Sequence, residues 1–95
     1  MSLEVGPFRY RPDVLAALWR HGVHPTPRTD PELVRGYVRE VYKYEIRQLR
    51  DRMQRREFAR ADYAGRVDAL RRRYPVLALM PRDFLLPPDS SPRQV

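Results

Sequence analysis

Arg39, Lys43, Arg47 and Arg50 stand at i, i+4, i+8 and i+11, a spacing that lines four cations along one side of a helix over about 16 Å. A stripe of that pitch can follow a phosphate backbone or an acidic helix. It also matches an ordinary solvated helix face, and the acids flanking it favour that plainer reading. Tyr42-Lys43-Tyr44 interleaves aromatic rings with a cation, the pattern of a base-stacking platform. On a helix, however, these neighbours point far apart, so the tyrosines read as core or contact residues whose hydroxyls reach water.

Other reactive residue types are sparse. His21 and His24 are three apart, but Gly22 separates them where a helix should end, and a metal would need further ligands. His21 reads instead as a cation at a helix C-terminus, and Arg71-Arg72-Arg73 as the same device on a later helix. Ser2, Ser90 and Ser91 lie in terminal segments, Thr26 and Thr29 fit turn and cap positions, and cysteine is absent, so no nucleophile stands out. With glycine only at 6, 22, 36 and 65, there is no phosphate-cradling loop. Glu45 is the one carboxylate that falls inside an apolar helix arc, where it calls for an arginine partner. Neither a catalytic residue, a metal nor a cofactor is expected.

These side chains must be positioned by helices. Pro12 to His21 fits a first helix, with proline in its first turn, Asp13 as an early acid and Gly22 as its left-handed stop. Its apolar set is Val14, Leu15, Leu18 and Trp19. Val23 to Arg28, broken by Pro25 and Pro27, is a rigid connector. Thr29 and Glu32 have capping-box spacing, while Asp30-Pro31 offers an alternative cap, and either starts a helix of about seven turns ending near Arg56. Arg56 to Ala59 must reverse the chain, with Phe58 closing the open end of the hairpin. The return helix runs from Arg60 to Tyr74 on a seam of Tyr63, Val67, Leu70 and Tyr74, and Pro75 stops it. Val76 to Met80 and Phe84 to Leu86 are apolar but too proline-broken for helix, and read as an extended arm laid on the hairpin or on a partner.

The central helix carries more apolar surface than one neighbour covers. At 100° per residue, Leu33, Val34, Tyr37, Val38, Val41 and Tyr44 share one face, whereas Tyr42, Ile46, Leu49 and Met53 share a face turned by about a third of a circle. That excess marks Tyr37, Val41, Tyr44, Ile46, Leu49 and Met53 as a candidate interface to a partner.

The stretch Ile46-Arg-Gln-Leu49-Arg-Asp-Arg-Met53, then Glu57-Phe58, then Tyr63, Val67 and Leu70 resembles the SHOCT hairpin, a helix, a tight turn followed by Glu-Phe or Glu-Tyr, and a second helix with an apolar seam. The resemblance covers about residues 45–74. It implies a module at the end of a longer bacterial protein that mediates oligomerisation or other contacts. This chain has Arg55-Arg56 where the family's turn has glycine, and a long helix runs into its hairpin without a linker.

Composition sets the outer bounds. The net charge of +7 rests on eighteen arginines and a single lysine, which points either to an anionic partner or to the base composition of the source genome. The plain charge reading is supported by the lack of any lysine-rich or glycine-arginine tract, and the lack of Asn and Cys suits a thermophile. Apolar runs such as Val76 to Met80 fall far short of a membrane span, and the N-terminus lacks a basic start followed by an apolar stretch, so a cytoplasmic protein is expected. The expected architecture is all-α, with residues 1–11 as an N-terminal arm, 12–86 as one small helical domain and 87–95 as a flexible tail. The expected role is a non-catalytic interaction or oligomerisation protein, a homo-oligomer or a small subunit of a larger assembly. A nucleic-acid-binding module working through the basic stripe is the alternative.

Overall fold

A computed structural model describes residues 5–87. Ser2, Ser90, Ser91 and the segment expected as a flexible tail, from residue 88 onward, lie outside the described residues. The fold is all-α: α1 spans Pro12–Trp19, α2 Pro31–Gln54 and α3 Tyr63–Arg72.

Each start has a local cause. Pro12 opens α1, and the Asp13 carboxylate, paired with Arg11 at 2.7 Å, accepts the Val14 N–H at 2.9 Å. At α2 the Asp30 side chain is the cap, accepting the Glu32 N–H at 2.9 Å, with Pro31 as the first helical residue. Of the two caps the sequence allows, this is therefore the one used. The Thr29 hydroxyl instead accepts the Thr26 N–H at 3.0 Å and shapes the connector.

Both α1 and α2 end in the same motif. Val23 N–H reaches Leu18 C=O and Gly22 N–H reaches Trp19 C=O, with Gly22 at φ +75°. Likewise Glu57 N–H reaches Arg52 C=O and Arg56 N–H reaches Met53 C=O, with Arg56 at φ 63°. Thus Arg56 occupies a left-handed position that usually falls to glycine. The regular part of α1 stops two residues short of His21, because its last turn tightens into this cap.

The chain then turns through Phe58, and α3 returns antiparallel to α2. Tyr74, just past the end of α3, meets Tyr42 edge-on at 5.3 Å between ring centroids, whereas Arg66, early in α3, lies over Phe58 at 4.1 Å. The return element is less regular than its seam suggests. A 3-10 turn covers Arg60–Asp62, and α3 ends at Arg72, leaving Tyr74 buried beyond it at a kinked φ/ψ before Pro75.

Two expectations about the ends are corrected. Residues 76–86 do not form an extended arm. They fold into 3-10 turns at Pro75–Ala78 and Pro81–Phe84, each opened by its proline, and they pack on their own chain: Phe84 is 0 % exposed and Val76 is buried. A proline that forbids a long helix is well suited to the first position of one turn. Nor do residues 8–11 stay outside the domain as an arm. Tyr10 is buried and forms an isolated antiparallel bridge with Leu85, flanked by Leu86 N–H to Arg9 C=O at 2.8 Å and Arg11 N–H to Phe84 C=O at 2.9 Å. Gly6 allows the adjoining close approach, since a Cβ there would lie 2.3 Å from the Pro27 carbonyl oxygen.

The core joins Tyr10, Val14, Ala17, Leu18, Val34, Val38, Leu49, Leu70, Tyr74, Val76 and Phe84. Arg35 fastens it from α2, donating to the carbonyls of Leu79 at 2.7 Å and Leu77 at 2.8 Å. Those carbonyls belong to 3-10 turns and their flanks, and the guanidinium supplies donors that the short turns lack.

Candidate functional site

The side of α2 that faces the core is fixed by Pro31, Val34, Val38 and Leu49, all buried. About 120° around the helix lies a second apolar line that the chain leaves open. Leu33 is 71 % exposed, Tyr37 59 % and Tyr44 54 %, and the three fall within about 40° of one another on the helical wheel. They run along the helix for about 16 Å, at 1.5 Å per residue. Single exposed apolar residues are ordinary, but three in one line on one helix form a surface.

The expected interface residues therefore divide. Leu49 belongs to the core, and Ile46 and Val41 pack partly buried against it. Met53 is half-buried near the hairpin turn. Only Tyr37 and Tyr44 remain open, and Leu33 joins them. The Tyr44 hydroxyl accepts a hydrogen bond from the Gln48 amide at 2.8 Å, which holds the ring along the helix.

The basic stripe lies beside this line. Arg39, Lys43, Arg47 and Arg50 are all exposed. Lys43 pairs with Glu40 at 3.5 Å, whereas Arg39, Arg47 and Arg50 make no ion pair or side-chain hydrogen bond with any described residue. Much of the remaining arginine charge is spent within the chain. Arg52 and Arg55 hold Glu57 at 2.9 and 3.1 Å, and their hydrogen bonds, Arg52 first, keep its carboxyl below the ordinary glutamate range. Arg71 and Arg72 both pair with Asp68.

A groove of about 270 Å³ runs between α2 and α3, lined by Glu45, Gln48, Arg52, Arg66 and Arg73 over Leu49 and Leu70. Glu45 is half-buried here, and its partner differs from the expected arginine: it accepts the Tyr74 hydroxyl. Burial first, then that hydrogen bond, push the Tyr74 phenol up to about 12. Tyr10 behaves alike. Its hydroxyl donates to the Thr29 carbonyl, and burial, then the nearby Asp30 charge, raise it to about 12. Both tyrosines are therefore neutral structural donors at physiological pH.

His21 lies against Tyr74, its ring stacked at 4.3 Å and 13°, and its Nε2 lies 2.6 Å from the Arg73 carbonyl. It thus serves the C-terminus of α3, not that of its own helix. His24 leans on Trp19 at 5.6 Å, so the two histidines go to different partners. Among the described residues no group of three or more His, Asp or Glu side chains gathers around a point. Tyr42 and Tyr44 diverge as the helical geometry requires: the first packs on Tyr74 and the second faces outward.

Arg35, Tyr10 and Phe84 are the important residues that sequence reasoning missed. Arg35 left a readable trace, because it lies seven residues before Tyr42 and eleven before Ile46, a cation inside an apolar row. Phe8 and Tyr10 alternate as a short extended segment would.

No family model, curated protein or solved structure matches this chain. Among the described residues no helix is long and apolar enough to cross a membrane.

Proposed function

We propose that this protein is a non-catalytic protein–protein interaction or oligomerisation module whose contact surface is the open face of α2. One observation carries the reading: Leu33, Tyr37 and Tyr44 stay exposed in a line on a helix whose core-facing side, about 120° away, is already committed. Exposed tyrosines are effective contact residues, as they bring large apolar area and a hydroxyl at small entropic cost. The hairpin of α2 and α3, with its resemblance to SHOCT modules, supports the same reading. A photo-crosslinker, p-benzoylphenylalanine, introduced at position 37 in the source cells tests it. A discrete protein adduct that is absent when the crosslinker stands at exposed position 60 is expected. No adduct from position 37 would overturn the reading.

A nucleic-acid-binding role has one observation in its favour, the three free arginines of the stripe. Glu40 and Asp51 flank that track, and Lys43 is already paired, which ranks this reading second. It predicts binding to duplex or single strands that weakens steeply with salt and is abolished when Arg39, Lys43, Arg47 and Arg50 become glutamine.

A further inference from the structure

The open face of α2 has a period of its own. Leu33, Tyr37, Glu40, Tyr44, Arg47 and Asp51 follow one another at intervals of four, three, four, three and four, an unbroken heptad seam. All six are exposed. The residues of this seam are complementary to one another when the seam is reversed. Laid antiparallel with its midpoint between Val38 and Arg39, Leu33 meets Tyr44 of the second copy, and Tyr37 meets Glu40. The same two layers then repeat on the other side of the dyad, as a two-fold interface requires. In this register the Tyr37 hydroxyl can donate to the Glu40 carboxylate of the second copy. Arg47, free of any partner among the described residues, comes beside Asp30, whose side chain caps the helix. A parallel arrangement would instead stack Glu40 on Glu40 and Arg47 on Arg47.

A separate observation concerns Gly36. It sits inside α2 on the flank of this seam, where a glycine costs about 1 kcal/mol against alanine. Nothing of its own chain lies within 4 Å of where a Cβ would stand, so no intrachain packing requires it. In the antiparallel register Gly36 faces Lys43 of the other copy, and a missing side chain there lets two helices approach closely beside a long one.

We infer that this chain pairs with a second copy of itself through an antiparallel seam of Leu33, Tyr37, Glu40 and Tyr44 on α2. The inference rests on the interaction reading above and names its partner. The seam is about 16 Å long, so the contact is small and the dimer is a weak, concentration-dependent one.

The chain has no cysteine, so introduced thiols report alone. Leu33→Cys and Tyr44→Cys proteins, mixed and gently oxidised, should give mainly the mixed disulfide, because antiparallel pairing brings 33 to 44. Each variant oxidised alone should stay mostly monomeric. Linking of Leu33→Cys to itself would mean parallel pairing and would overturn the proposal. In the full chain, sedimentation equilibrium should show a monomer–dimer equilibrium, and Tyr37→Ser with Tyr44→Ser should raise its dissociation constant by at least ~10-fold, about 1.4 kcal/mol. Circular dichroism of these variants checks that α2 persists. A strictly monomeric wild type, or a dimer indifferent to the serines, would overturn the pairing. A crosslink from position 37 to a different protein, with no adduct at twice the chain's mass, would also overturn it while leaving the interaction reading intact.

Discussion

The two ends of α2 are built by different means. Its first half is covered by the 3-10 turns after Pro75, on which α1 packs in turn, and it buries Val34 and Val38 in one cluster with Tyr10, Leu18 and Phe84. Among the described residues, its second half has α3 alone beside it. There Leu49 and Leu70 are the buried residues, and Ile46, Phe58, Tyr63 and Val67 are only partly covered. What apolar burial does at the root, arginines do at the tip: Arg52 and Arg55 hold Glu57, Arg66 caps Phe58, and Arg71 and Arg72 hold Asp68. Exposed ion pairs contribute little each, so the tip should open at far smaller free energy than the root. The lesson is that one regular helix can belong to two regions of unequal stability.

The sharpest way to break this comparison is at the root. Phe84→Ala removes a fully buried ring and should cost about 3–5 kcal/mol, read by denaturant unfolding of the whole chain. A loss under about 1 kcal/mol would mean that the root is not the stability core. Next comes Arg35→Met, which keeps the stem but strips the carbonyls of Leu77 and Leu79 of their donor. About 1.5–3 kcal/mol should be lost, with amide protection falling first in the 3-10 turns after Pro75.

The boundary between root and tip is set by Tyr74. Tyr74→Phe keeps the ring but leaves Glu45 without its hydroxyl donor, costing about 1 kcal/mol. It also changes the alkaline limb. Tyr74 and Tyr10 ionise near 10 when unfolded but at about 12 when folded. The unfolded chain therefore sheds those protons first. Their stabilisation is complete below pH ~10 and is lost as pH rises from there toward ~12. The wild type should weaken across that window, and Tyr74→Phe should weaken less steeply. The smallest effect lies at the tip. Arg56→Gly relieves a left-handed arginine and should gain about 0.5–1 kcal/mol. The gain should appear as slower amide exchange near the hairpin turn, with little change in global unfolding.

Legibility in the sequence follows the same division. The starts of α1 and α2 could be read because Pro12 and the Asp30-Pro31 pair act locally. The return seam of α3 could be read too, since Tyr63, Val67, Leu70 and Tyr74 share one face. Its end short of Tyr74 has a local cause as well, since Pro75 disfavours the helical region at the residue before it. What Tyr74 then packs on, His21 and Glu45, is distant in the chain and left no local signal. The turns after Pro75 were hidden for the same reason: their carbonyls depend on Arg35, more than forty residues away. The surface was half legible. Periodicity marked the broad apolar arc of α2, but which edge stays open depends on where α3 and the C-terminal turns settle, and no local signal carries that.

The Tyr10–Leu85 bridge has one further consequence. It puts the entry and exit of the described chain side by side, at the opposite pole from the hairpin turn at Arg56. Such matched ends suit grafting: the domain could be spliced into a surface loop of a host protein without stretching the host, and would project its hairpin outward like a peg.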